Sequence, residues 1–167
     1  MIQRGFTLLE LLVVLVIIGI ILNFAVLSIG GDGPEQKAGE ELRRLAALMN
    51  LASEQAVLQS REFGVIIEHE GYTFATLEEN EWQGIQDDAM FRHRTLPDYF
   101  QIDLLIEGLP AALVSSKDEE PKPQLLLLSS GERTAFSLTL SADDADPLFR
   151  LVGEMFEPAR VERVEQP

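Results

Sequence analysis

The chain has no cysteine, which excludes a disulfide framework, a cysteine-based zinc site and a thiol nucleophile. Histidine is nearly absent too. His69 lies between Glu68 and Glu70, and His93 between Arg92 and Arg94. Neither shows metal-ligand spacing, and both read as exposed strand or loop positions. There is no G-x-S-x-G, no P-loop and no G-x-G-x-x-G, so hydrolase and nucleotide-binding readings have no motif behind them. Basic residues are few: 13 Lys and Arg stand against 28 Asp and Glu, for a formal net charge of −15 over 167 residues. Nucleic-acid binding relies on Lys and Arg clusters that release counterions, and anionic lipid attracts the same clusters. This chain suits neither partner.

Long apolar runs are absent from most of the chain, and the exception is its first thirty residues. After Arg4 and Gly5, residues 6–29 are apolar except for Thr7, Glu10, Gly19, Asn23 and Ser28. A helix needs roughly 20 apolar residues to cross a bilayer core of about 30 Å, and 6–29 would reach ~36 Å at about 1.5 Å per residue. Within it, 11–22 is apolar throughout except for Gly19, so it requires apolar surroundings on every side. A secretory signal has a shorter apolar core, about 7–15 residues, with a small-x-small site just beyond it. No clear site of that kind is present here, and an uncleaved signal anchor stays open. Arg4 favours a cytoplasmic N-terminus, which puts the acidic bulk across the membrane; in a Gram-negative bacterium that side is the periplasm.

Glu10 interrupts the run. An ionised carboxylate in a membrane helix costs on the order of 2.5–3.5 kcal/mol on insertion scales and is usually paired or functional. Two readings are open: Glu10 reaches for headgroups at the interface, or it meets a group on another molecule.

The stretch Arg4-Gly5-Phe6-Thr7-Leu8-Leu9-Glu10-Leu11-Leu12 resembles the processing signal of type IV pilins and type II secretion pseudopilins. The resemblance implies that a membrane-embedded prepilin peptidase cuts between Gly5 and Phe6 and N-methylates Phe6. Glu10 then becomes the fifth residue of the mature chain, the position of the family's assembly glutamate. In a fibre, the Phe6 amine of one subunit and Glu10 of a neighbour would neutralise each other, so two charges costly in lipid become tolerable as a pair. A Pro often found in the apolar helix of pilins is missing here.

The remainder divides into a hinge or plain linker at 30–34 and a body at 35–167. Gly30-Gly31-Asp32-Gly33-Pro34 breaks helix strongly, with Pro34 suited to the first turn of the next helix and Asp32 or Gly33 to its cap. Residues 35–60 read as an amphipathic helix. Ala38, Leu42, Leu45, Met49, Ala52 and Ala56 form one apolar stripe, widened by Leu48, Leu51 and Leu58; Glu40 and Arg44 make an i,i+4 pair. Docking on a sheet suits the short, Ala-rich stripe better than a coiled coil.

From Arg61 the period changes. Residues 63–67, 72–77, 100–106, 125–128, 134–140 and 149–152 read as strands, with 90–96 a further one. Glu70-Gly71 and Ser129-Ser130-Gly131-Glu132 read as tight turns. The acidic segments 78–88, 115–123 and 141–147 read as loops, and 158–167 as a polar tail beyond a β-rich 61–157. Trp82 either anchors a partner or packs on its own sheet.

The predicted architecture is α+β: a long N-terminal helix, half membrane-spanning and half amphipathic, packed on an antiparallel sheet or two small sheets. Within the pilin-like family the body most resembles minor pseudopilins of the H type and their FimT relatives, through 42–59, the hairpin 63–77 and 125–140. The resemblance implies a structural subunit, not an enzyme, in a short periplasmic fibre near its tip. Its implied partners are the major pseudopilin G, the minor pseudopilins I, J and K, the prepilin peptidase and the inner membrane. A FimT-like type IV pilin, including DNA-capturing versions, is an alternative that the acidic balance counts against; a signal-anchored periplasmic binding protein or hydrolase is another. No cofactor is expected. Major pseudopilins bind calcium in a loop, and Asp143, Asp144 and Asp146 offer oxygens for it. They lack the Gly and distal Glu of an EF-hand loop, and a solvated acidic loop is the default.

Overall fold

A computed structural model describes residues 8–28, 33–86, 88–115, 118, 121–142 and 145–164, without the side chains of 19–28. It opens with helix α1, Leu8–Ser28, followed by helix α2, Pro34–Gln59. Gly33 is the N-cap of α2 and Pro34 occupies its first turn, where a missing N–H costs nothing. Gly30, Gly31 and Asp32 lie outside the described residues. The helix stops at Ser60, which adopts a left-handed conformation (φ 52°).

All six residues of the apolar stripe, Ala38, Leu42, Leu45, Met49, Ala52 and Ala56, are buried, and Leu48 and Leu51 flank the core. Leu58 does not extend the stripe, being 83% exposed. Two residues at about 100° each carry it to the opposite side from Ala56. Arg44 pairs with Glu41, 3.0 Å away one turn back, rather than with Glu40.

Among the described residues the body holds two five-stranded antiparallel sheets. The first contains β1 (Phe63–Glu68), β2 (Gly71–Glu78), β3 (Glu81–Gly84), β4 (Arg94–Thr95) and, after the second sheet has begun, β7 (Leu125–Leu127). Its order is β3-β2-β1-β7, with β4 on β2. The second contains β5 (Phe100–Ile106), β6 (Leu109–Pro110), β8 (Phe136–Ala142), β9 (Phe149–Gly153) and β10 (Arg160–Arg163), in the order β10-β9-β8-β5-β6. Pairing puts Phe63, Val65 and Ile67 of β1 on one face with Phe74 and Tyr72 of β2. In the second sheet Phe136, Leu138 and Leu140 share a face with Leu104 and Ile102. These two apolar faces and the α2 stripe enclose a single core.

Further expectations are corrected. The acidic segment 78–88 contains strand β3, returned by Glu79 and Asn80 with φ of 49° and 73°, as a two-residue hairpin turn requires. Only Arg94–Thr95 of 90–96 forms a strand; Phe91 instead fills the core against Phe63 and Phe74. The polar tail beyond Glu157 contributes β10, whose Val161 pairs with Leu151 and packs on the core. The first turn falls at His69–Glu70, one residue early. Gly71 begins β2, where a Cβ would lie 1.9 Å from the Arg94 carbonyl oxygen, so only glycine lets β4 approach.

Candidate functional site

Two regions present chemistry beyond the core. The first is the N-terminal helix. Gly5 and Phe6 lie outside the described residues. Glu10 sits in the first turn of α1, where the helix dipole favours a negative charge. The described side chains around it, Leu8 to Ile18, are exposed, from 42% for Val14 to 81% for Leu8. An all-round apolar rod in this state needs an apolar surrounding. Among the residues described in full, no helix is long and apolar enough to cross a membrane; the backbone of α1 continues helical to Ser28.

The second region lies around the C-terminal half of α2. Asn50 grips the chain before β10 in both senses: its Nδ2 donates to the Ala159 carbonyl at 2.9 Å, and its Oδ1 accepts from the Ala159 N–H at 2.8 Å. The Arg133 guanidinium donates to the same Oδ1 and to Ser53 Oγ, each at 3.0 Å, and the Arg133 N–H donates to the Met155 carbonyl at 3.0 Å. Burial pulls Arg133 below the ordinary arginine range. One asparagine and one arginine thus tie α2, the segment after β7 and the β9–β10 connection together. Sequence reasoning passed over these residues, although Asn50 and Ser53, three apart and bordering an apolar stripe, signal a buried polar partner. Nearby, Glu62 binds the Ser129–Glu132 turn, accepting from the Ser129 N–H at 2.9 Å and the Ser129 hydroxyl at 2.6 Å.

The other candidates disperse. His69 and His93 are exposed; His93 Nδ1 is 2.9 Å from the Thr73 hydroxyl, which donates to Glu68. Trp82 packs on its own sheet: a Cβ on Gly64 would lie 3.1 Å from its ring and 2.5 Å from Pro123, so Trp82 and Pro123 cover the face opposite the main core. Asp146 is exposed, while Asp143 and Asp144 lie outside the described residues. Among the described residues no cluster of His, Asp and Glu could hold a metal ion. A polar cleft of about 490 Å³ runs past Gln55, Gln59, Gln83 and Asp88, and its one arginine, Arg61, pairs with Glu78. Between the sheets, Tyr72 closes an apolar crevice with Leu42, Leu96 and Leu140, of about 10 Å³. That is space for no more than a water.

Comparison with known proteins finds a family match for two stretches of the chain. Residues 1–22 match the family described as prokaryotic N-terminal methylation motif, and residues 41–153 match the family described as type II transport protein GspH. The chain is similar to type II secretion system protein H of Pseudomonas aeruginosa, with 36% identity over 98% of this chain and 96% of the relative. The protein of the same name from Aeromonas hydrophila is 31% identical over 86% of this chain and 84% of its own length. In structure it resembles the minor pseudopilin EpsH from the type II secretion system of Vibrio cholerae, with a TM-score of 0.69 and 28% identity over 81% of this chain and 99% of that one.

Proposed function

Because the chain belongs to the type II transport protein GspH family, we propose that it works as a minor pseudopilin: a structural subunit, at or near the tip of a periplasmic fibre, that helps move folded proteins across the outer membrane. The observation that carries this is the union, on one chain, of a methylation motif at 1–22 with a body of the GspH kind at 41–153.

Residues 6–29 insert into the inner membrane with Arg4 on the cytoplasmic side, leaving the body in the periplasm. The prepilin peptidase cuts between Gly5 and Phe6 and methylates the freed amine, which stays cationic. In the fibre this cation meets Glu10 of an adjoining subunit, and each charge relieves the other's cost in lipid. Helix packing supplies most of the contact, while the charge pair sets the axial register. The adjoining subunits are other pseudopilins, the major G and the minor I, J and K. A nucleic-acid partner would need basic clusters that 13 basic against 28 acidic residues do not favour.

Glu10→Val tests the reading. It removes the charge that sets register and leaves the apolar run intact. The variant is expected to insert and accumulate in the inner membrane at the normal level yet fail to enter the fibre in cells without another copy. Normal incorporation would refute the role of Glu10.

A further inference from the structure

At the end of α2 remote from Pro34 the body exposes an apolar group of side chains: Val57 (48%), Leu58 (83%), Met155 (50%) and Phe156 (69%). They come from two distant parts of the chain, and the polar clamp brings those parts to one end. Arg133 binds the Met155 carbonyl through its backbone and Ser53 through its guanidinium. Val57 is one helical turn beyond Ser53, and its Cγ2 lies 3.9 Å from where a side chain on Gly131 would begin. The loop bearing Met155 and Phe156 is therefore held in place, pinned by Asn50 at Ala159 and by Arg133 at Met155. Pre-organised apolar and aromatic groups of this kind serve as anchors at protein interfaces.

The surroundings of the patch are acidic. Glu54, Glu132, Glu154 and Glu157 are all exposed. Of the arginines at this end, Arg160 is bound by Glu154, Glu157 and Glu162, Arg61 pairs with Glu78, and Arg133 is half-buried with its guanidinium on Asn50 and Ser53. Two copies meeting through this end would set acid against acid, an arrangement that is strongly disfavoured. An apolar surface framed by Lys and Arg would match it in both respects.

We propose that Val57, Leu58, Met155 and Phe156 form the docking surface for a different subunit of the fibre, one that presents an apolar face with a basic rim. The proposal rests on the fibre-subunit reading above and adds where the next subunit sits and why it is not another copy. The acidic rim steers a basic partner and repels the chain's own kind, so the end accepts a successor without starting a homopolymer.

The test uses the full-length chain in secreting cells that lack their own copy, with a photoreactive benzoylphenylalanine at position 156. The expected adduct joins Phe156's position to a different pilin-like subunit, at an apolar segment flanked by Lys or Arg. Reversing the rim (E54K, E132K and E157K together) sets like charge against the partner's basic rim and is expected to lower adduct yield at least about tenfold, with membrane level and leader removal unchanged. No adduct, an adduct to a second copy, or a yield indifferent to rim reversal overturns the proposal. Export lost with E10V but intact with L58S and F156S together would overturn the docking surface alone, whereas export intact with E10V would overturn the fibre reading beneath it.

Discussion

Tyr72 stands with its hydroxyl buried and without a hydrogen-bond partner among the described residues, and burial, with Glu41 nearby, pushes its phenol up to about 12 against the opposing pull of Arg94 and Arg44. A raised value favours the neutral form in the fold, so its contribution is complete below the unfolded value near pH 10 and lost as pH rises through about 12. The difference is on the order of 2 kcal/mol. Urea unfolding between pH 9 and 12 should show this decline in the native chain relative to Tyr72→Phe, which should match or exceed native stability at pH 7 because it removes an unsatisfied hydroxyl. Parallel curves for the two proteins would contradict the assignment. Asn50 is the opposite case, with every polar atom used. Asn50→Ala strands the Ala159 amide and one arm of Arg133, and is expected to cost about 2–4 kcal/mol. Amide exchange should rise first at 159–163; uniform acceleration throughout the body would argue against a local clamp.

The elements differ in how far their residues announced them. The α2 stripe was plain because a 3.6-residue period repeats for about five turns and each of its six members is buried. Phe136–Leu140 was equally plain, since alternate burial gives apolar and polar residues in strict turn; Ser141 and Ala142, read as the start of a loop, extend the strand. Strand β3 was hidden because Glu81 and Gln83 are poor strand formers; its place comes from the Glu79–Asn80 turn and from Trp82 lying over Gly64. Strand β10 was hidden for a similar reason. Arg160, Glu162 and Arg163 resemble a solvated tail, and only the pairing with Phe149–Val152 and the grip of Asn50, both distant in sequence, make it a strand. Tertiary partners thus override weak propensity. The same logic makes Gly71 decisive for β4: Gly71→Ala forces its Cβ into the Arg94 carbonyl and should cost about 1–3 kcal/mol or more. The expected signature is loss of protection at Leu96, whose N–H donates to the Glu70 carbonyl; unchanged protection there would show that the strand gives way without cost.

At the scale of the molecule, the division of labour was legible from composition. One apolar run, one acid within it and an acidic body with few cations exclude most alternatives before any fold is known. The apolar far end of α2 was not legible, because Leu58 is indistinguishable from a core leucine until the helix phase is fixed against the sheets, and because Met155 and Phe156 meet it through folding alone. The whole account nevertheless depends on a chemical event at the other end. The most direct measurement is the N-terminal mass of the protein isolated from native membranes. The account predicts a chain that begins at N-methylated Phe6; a chain that still begins at Met1 would leave Glu10 of the neighbour without its cation and contradict it.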